Sequence, residues 1–265
     1  MSGVMEKKMF WVAVEDGKAE EVKEILRGNP TFNVNCENEK VYGNITALMI
    51  ACENGHDSIV SILLAHPDID VNLKSRGGYT AISHACNSGF TSCVRLLLKD
   101  SRVKVNEPGD EGNTPLWFAS FVGHLDVIRW WIASGREMDL GEPKVHNADA
   151  IWAARRRGKT DVVTLLKKFK ENPEETRRAM RVEVGWYDKA AAEVFALVVF
   201  VSDGLLQVKV TTTTTTVPAA RFFSIVTMLP LELQMVLCCQ VVGLPKDIIP
   251  GKDSEVAFRD LASGM

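Results

Sequence analysis

Residues 113–132 read NTPLWFASFVGHLDVIRWWI, and the same order of polar and apolar residues occurs in two earlier segments. Those segments are ITALMIACENGHDSIVSILL at 45–64 and YTAISHACNSGFTSCVRLLL at 79–98, so the three start 34 residues apart. A segment that recurs at a fixed period of this length indicates a repeat architecture, because each unit can bury its apolar face only against its neighbours.

Each segment has the features of two short helices. A threonine stands where an N-cap is expected, and a glycine nine residues later is placed to end the first helix in a left-handed conformation. These positions are Thr46, Thr80 and Thr114 for the cap and Gly55, Gly89 and Gly123 for the helix end. Apolar residues such as Val127, Ile128 and Trp131 then predict a second, amphipathic helix. A Val-Asn pair, such as Val71-Asn72, opens a polar turn segment.

The third segment carries the most specific motif. Thr114-Pro115-Leu116, Ala119, Gly123-His124 and Leu125-Asp126-Val127-Ile128 together resemble the ankyrin repeat. The resemblance implies an all-α solenoid of helix-turn-helix repeats with β-turn fingers. It also implies that the histidines of the Gly-His pairs, His56 and His124, bond neighbouring turns.

The resemblance covers residues 5–172, which we expect to form one ankyrin-repeat domain of five units. The units span residues 5–40, 45–78, 79–112, 113–147 and 148–172, and the first and last are degenerate. In the last unit, Ala148-Asp149-Ala150-Ile151 stands where Thr-Pro-Leu is expected. Since the capping threonine is missing, we expect this unit to have a weakened N-terminal turn.

Residues 173–265 lose the period, and we expect them to form a helical C-terminal region with a flexible threonine-rich loop at 209–218. Within it, Leu229-Pro230-Leu231-Glu232-Leu233 resembles the opening of an F-box, the module that docks a substrate receptor onto a ubiquitin ligase. The alternative is a plain capping helix with proline in its first turn. The F-box reading would make the chain a substrate-recognition adaptor.

Composition excludes several classes of function. The formal net charge of the 265 residues is -3, so there is no overall attraction to nucleic acid. The longest apolar run, 194–201, is too short to span a membrane, and the N-terminus lacks the features of a secretory signal. We therefore expect a cytoplasmic protein, with the nucleus as an alternative, and a protein partner of unknown identity. The oligomeric state is left open.

No catalytic motif is visible, and we expect no catalytic residue, no metal and no cofactor. The sequence lacks a glycine-rich phosphate loop, a nucleophile elbow and paired carboxylates. Cys52 and Cys86 are 34 residues apart, which favours buried hydrophobic positions in two repeats over a metal site. An enzyme within residues 174–265 is the remaining alternative, and that region contains no histidine.

The resemblance implies that partners bind the exposed positions of the first helices and the tips of the turns. The candidate partner-binding residues are Met49, Glu53, Asn87, Trp117, Phe121, Trp152 and Arg156 on first helices, with Lys74, Arg76 and Asp110 on turn tips. Ser83 is a further exposed first-helix position, and Tyr42 and Glu111 are further turn-tip positions. Trp117, Phe121 and Trp152 would form an aromatic ridge able to anchor a partner. The alternative is that these rings pack on one another or under the C-terminal region.

Basic residues cluster in the fifth unit, beginning with Arg155-Arg156-Arg157 and continuing to Arg181. Such a cluster could hold an acidic peptide, a phosphate group or nucleic acid. A solvated face partly neutralised by nearby glutamates is the alternative.

Overall fold

The computed structural model describes residues 2–38, 43–141 and 149–186, together with single residues at 194, 198, 234, 237, 238 and 257. The chain forms two compact units, Met1–Met180 and Arg181–Met265. Almost all of the described residues belong to the first unit, which contains the repeats.

The described part of the chain contains eleven helices. They are α1 (Ser2–Glu15), α2 (Ala19–Gly28), α3 (Ala47–Asn54), α4 (Asp57–Leu64), α5 (Ala81–Ser88), α6 (Thr91–Lys99), α7 (Pro115–Val122), α8 (Leu125–Ser134), α9 (Ala150–Arg156), α10 (Thr160–Glu171) and α11 (Pro173–Glu183).

The first ten helices form five pairs stacked in two layers. The odd-numbered helices α1, α3, α5, α7 and α9 pack one against the next, and the even-numbered helices α2 to α10 do the same. The predicted all-α repeat solenoid is therefore confirmed. We call the odd-numbered layer the inner helices, because it carries the predicted partner-binding positions.

The predicted caps set the ends of the central inner helices. The hydroxyl of Thr46 accepts a hydrogen bond from the Met49 amide, and that of Thr114 accepts one from the Trp117 amide, at 3.4 and 3.3 Å. Thr80 and Ser83 form a reciprocal capping box. The helices end at glycines in the left-handed conformation, with φ of 80° at Gly89.

The prediction that the fifth unit begins weakly is wrong. The Asp149 carboxylate caps α9 by accepting a hydrogen bond from the Ile151 amide at 2.7 Å. Aspartate is as effective an N-cap as threonine, so the loss of the Thr-Pro-Leu motif does not leave the first turn unsatisfied.

The glycine-histidine junctions join successive pairs, and the expected role of His56 and His124 is confirmed. The His56 ring nitrogen Nε2 lies 3.1 Å from the carbonyl oxygen of Glu15, and that of His124 lies 3.0 Å from the carbonyl oxygen of Asn87. The His124 ring also packs so closely on Gly89 that a Cβ there would lie 2.3 Å from its Nδ1 atom. Each junction therefore fixes the end of one inner helix on the following repeat.

The Val-Asn segments form a second ladder between repeats. The Asn72 side chain donates to the Arg102 carbonyl at 2.9 Å and accepts from the Lys104 amide at 2.8 Å. Asn35 bonds the backbone of the next repeat in the same way, and the Asn106 side chain accepts from the Asp139 amide. These bonds satisfy turn backbone that no sheet or helix would satisfy.

An arginine that sequence reasoning missed closes the C-terminal end of α6, one of the even-numbered helices. The Arg136 guanidinium donates to the carbonyl oxygens of Leu98, Asp100 and Val103 at 3.4, 3.0 and 2.6 Å. Arg102, which lies 34 residues earlier, donates to the Leu64 carbonyl at 2.6 Å. The recurrence at the repeat period was the signal that could have identified both residues.

The core confirms the interpretation of the cysteines. Cys52 and Cys86 occupy equivalent positions in α3 and α5, and both thiols are free and fully buried. Burial raises the pKa of each thiol well above its usual value, which makes both of them poor nucleophiles.

The C-terminal region is described over a short part of its length. Helix α11 confirms the helix expected at its start. The threonine-rich segment at 209–218 lies outside the described residues, and so does the F-box-like segment at 229–233. The interpretations of those two segments stay predictions.

Candidate protein-binding groove

A groove of about 680 Å³ lies between α7 and α9. Its lining residues come from the two inner helices, the residue that ends α9, and the turn that precedes α7: Glu111, Asn113, Trp117, Phe121, Trp152, Arg156 and Arg157. The structure therefore brings together five of the positions named from the sequence, which are Trp117, Phe121, Trp152 and Arg156 on the inner helices and Glu111 at a turn tip.

Stacked aromatic rings form part of the groove lining. Trp117 stacks on Phe121 with ring centroids 4.6 Å apart and planes 14° from parallel. The Trp117 ring also meets Phe118 edge to face at 5.2 Å, and Phe118 meets Tyr79 in the same way at 5.1 Å. Trp117 and Phe121 thus pack on one another, as one of the alternatives expected, yet both rings remain partly exposed in the groove.

Two arginines lie over the aromatic rings. The guanidinium carbon of Arg157 is 4.1 Å from the centre of the Phe121 ring, and that of Arg156 is 5.2 Å from the centre of the Trp152 ring. Such stacking orients a guanidinium while leaving its N–H groups at the edge free to donate. Arg157 was recognised in the sequence only as part of a basic run, because its contact with Phe121 joins two repeats.

The side of the groove formed by the turn before α7, which carries Glu111 and Asn113, is polar. Glu111 is exposed, and its carboxylate lies 3.5 Å from the side-chain nitrogen of Asn113. Behind Phe118, burial raises the pKa of Tyr79, and the Glu111 carboxylate raises it further. One side of the groove therefore carries a negative charge and the other carries two positive charges.

At the corresponding positions on α3 and α5, two of the predictions are wrong. Met49 is 1% exposed and Ser83 is 2% exposed, so neither is available to a partner. The unbranched Met49 side chain can bend into the gap between neighbouring inner helices. Ser83 is turned back into the capping box of α5. Trp117 and Trp152, at the equivalent positions of α7 and α9, stay partly exposed.

Glu53 and Asn87 are exposed on the inner helices but lie outside the groove lining. A Glu53 carboxylate oxygen is 3.6 Å from Nδ1 of His84, a largely buried residue of α5. Burial lowers the pKa of His84, and the Glu53 carboxylate partly opposes that effect. His84 is therefore predominantly neutral at neutral pH.

The turn-tip candidates Lys74, Arg76 and Asp110 are exposed but lie outside the groove, whereas the turn-tip residue Glu111 lines it. The Lys74 ammonium pairs with Glu107 at 2.7 Å, which lowers the pKa of that carboxyl. Arg76 and Asp110 are held through their main-chain amides, which donate to neighbouring finger carbonyls. Tyr42 lies outside the described residues. An exposed ion pair such as Lys74 with Glu107 contributes little to stability.

Among the described residues, no three or more His, Cys, Asp or Glu side chains are grouped so as to hold a metal ion. None of the helices described is long and apolar enough to cross a membrane.

The comparison with protein families gives a match. The model described as "Ankyrin repeats (3 copies)" matches residues 10–107 and 67–141. No curated protein matches the chain. Ankyrin repeats are generally protein–protein interaction modules and are typically non-enzymatic.

Proposed function

Because the chain belongs to the ankyrin-repeat family, we propose that it binds a partner protein reversibly in the groove between α7 and α9, without catalysing a reaction. The observation that carries the proposal is the cluster of partly exposed Trp117, Phe121 and Trp152 with two stacked arginines. Tryptophan and arginine are the residues most enriched at the energetic centres of protein interfaces.

The groove suits a protein ligand for two physical reasons. Trp117 and Phe121 already stack on one another, so a partner that covers them gains apolar contact without having to order flexible side chains. The groove is also partly open to solvent and lined by both polar and apolar atoms, which suits a peptide better than a fully enclosed small molecule.

The test is quantitative affinity capture with the full chain, followed by cross-linking to map the contact. The Trp117→Ala/Trp152→Ala variant removes the two large rings. Met9→Ala is a matched control, because Met9 is a 53% exposed apolar residue on α1, outside the groove. Thermal unfolding by circular dichroism first establishes that all three proteins are folded. We expect partners of the wild type to be retained by Met9→Ala and lost from the double variant.

The cross-links decide where the retained partners bind. Under the proposal, they join the partners to residues of α7 or α9. A partner set unchanged in the double variant, or cross-links confined to other helices, would show that the tryptophans are packing residues and that the proposed groove is wrong.

A further inference from the structure

The two arginines of the groove have no carboxylate partner in the described part of the chain. Arg156 and Arg157 contact the faces of Trp152 and Phe121, and each forms no ion pair there. Both side chains are exposed. A partner that covers the aromatic rings must also cover these guanidinium groups, and removing their water without replacing its hydrogen bonds is costly.

The surrounding charge does not supply the missing anion. The Asp149 carboxylate is used to cap α9, and neither Asp161 nor Glu111 forms an ion pair with these arginines in the described part of the chain. We infer that the groove selects a partner segment in which a carboxylate side chain stands next to a bulky apolar side chain. This inference rests on the proposed function and specifies the chemistry of the partner.

Each half of that segment has a place. The apolar side chain lies against the stacked rings of Trp117 and Phe121, where it gains contact area and displaces water. The carboxylate accepts N–H groups from Arg156 and Arg157, whose planar guanidinium groups suit two-point contact with carboxylate oxygens. The 4.1 Å stacking of Arg157 on Phe121 fixes the plane from which it donates.

The stacked rings favour an anion carried on a polypeptide, because an adjacent apolar side chain can then cover Trp117 and Phe121. The exposed Glu111 side chain lines the same groove and repels any anion that enters. This repulsion and the attraction to the two arginines both grow with the charge of the ligand, so the phosphoserine peptide is included in the test below. The formal net charge of -3 gives nucleic acid no overall attraction to the chain.

The inner helices also give the segment a direction. At equivalent positions along successive repeats, the residue is Glu53 on α3, Asn87 on α5, Phe121 on α7 and Arg156 on α9. A segment that crosses these helices therefore meets a negative charge at one end and a positive charge at the other. Its acidic end lies on α9, because the opposite direction would bring like charges together at Glu53.

The experiment measures the fluorescence anisotropy of short labelled peptides mixed with the full chain. One peptide carries a phenylalanine-leucine pair followed by two glutamates, a second has glutamines in place of the glutamates, and a third has phosphoserines. We expect the glutamate peptide to bind about tenfold more tightly than the glutamine peptide. The preference should weaken as salt is added.

Charge-matched variants locate the effect. Arg156→Gln/Arg157→Gln should abolish the preference for glutamate. Lys167→Gln/Lys168→Gln, which removes two exposed positive charges from α10, should preserve it. Equal binding of the glutamate and glutamine peptides would overturn the acid preference and leave the groove as a docking site. A preference that survives in the arginine variant, tighter binding of the phosphoserine peptide, or no binding by any peptide would each overturn the inference. Affinity capture by the Trp117→Ala/Trp152→Ala variant tests the proposed function, and its outcome does not depend on these peptide measurements.

Discussion

The junctions between repeats and the groove between α7 and α9 are built from different kinds of position. At the junctions, residues such as Gly89 and His124 are members of a series that recurs along the chain. In the groove, Trp117 and Arg156 stand where earlier repeats have Ser83 and Glu53. The recurring residues satisfy backbone groups and join repeats, whereas the departures from the pattern leave side chains exposed. We therefore expect stability to depend on the first kind and partner binding on the second.

The largest effect expected is at a junction. Gly89→Ala places a Cβ 2.3 Å from the His124 ring at a residue with φ of 80°. We expect the free energy of unfolding to fall by about 3 kcal/mol, from left-handed strain and overpacking together. Gly112→Ala is the matched control, because Gly112 has the same φ of 80° and no atom near the new Cβ. It should cost only about 1 kcal/mol.

Urea unfolding followed by circular dichroism measures both glycine variants. Equal losses would mean that backbone strain alone is at work and that the glycine-histidine contact does not join the repeats. In that case the distinction between junction and groove would lose its energetic basis.

The next effect concerns the arginine that closes α6. Arg136→Met keeps the length of the side chain but leaves the carbonyl oxygens of Leu98, Asp100 and Val103 without their donor. We expect a loss of about 2 kcal/mol in the same unfolding experiment, because half-buried acceptors lose charge-assisted bonds. Arg155→Met removes an exposed arginine from α9 and should change stability by less than about 0.5 kcal/mol. Similar losses in the two variants would contradict the assigned role.

The Trp117→Ser variant places in α7 the residue type that Ser83 provides at the equivalent position of α5. The ring is partly exposed and packs on Phe121 and Phe118, so we expect a loss of about 1 kcal/mol. Binding of the partners captured by the wild type should fall at least tenfold, as measured by titration. A variant that loses stability as Gly89→Ala does and keeps its partners would place Trp117 among the structural residues.

The 34-residue repeat period explains how much of the fold could be predicted from the sequence. Helix pairs, threonine caps, left-handed glycines and the Gly-His contacts depend on local chemistry that recurs, so 34-residue self-similarity was enough to predict them. The prediction of a weak first turn in the fifth unit fails at Asp149, because the repeat motif specifies threonine whereas aspartate caps a helix by the same hydrogen bond.

Burial of individual side chains was less predictable. Met49, Ser83 and Trp117 share one position in the repeat, yet only the tryptophan stays partly exposed, since covering depends on the size and flexibility of each side chain. Arg157 joined the site through a ring in the preceding repeat, and such a contact has no signature within one repeat. The ridge of Trp117, Phe121 and Trp152 was predictable because bulky aromatic residues break the pattern at positions that face one another.

The smallest expected effect tests whether every departure from the pattern serves binding. His84 stands at the repeat position that Ile50 occupies in α3 and Phe118 occupies in α7. It is largely buried, and burial lowers its pKa. The folded state then resists a proton that the unfolded state takes up below about pH 6.5. The stability that depends on neutral His84 is thus present above that pH and is lost as the pH falls through the lowered pKa. The free energy of unfolding would change by about 1.4 kcal/mol per pH unit if the unfolded state bound one more proton than the folded state. His84 accounts for only a fraction of a proton, so its contribution is smaller.

Urea unfolding between pH 7 and pH 5 measures this dependence. His84→Gln should flatten it, and Glu53→Gln should steepen it, because removing the carboxylate 3.6 Å away leaves desolvation unopposed. If both variants follow the wild-type profile, His84 does not contribute to the pH dependence of folding. If His84→Gln flattens the profile and leaves partner capture unchanged, then this departure from the repeat pattern acts on stability alone. The rule that departures serve recognition would then hold only where the substituted side chain is left exposed, as it is in the groove.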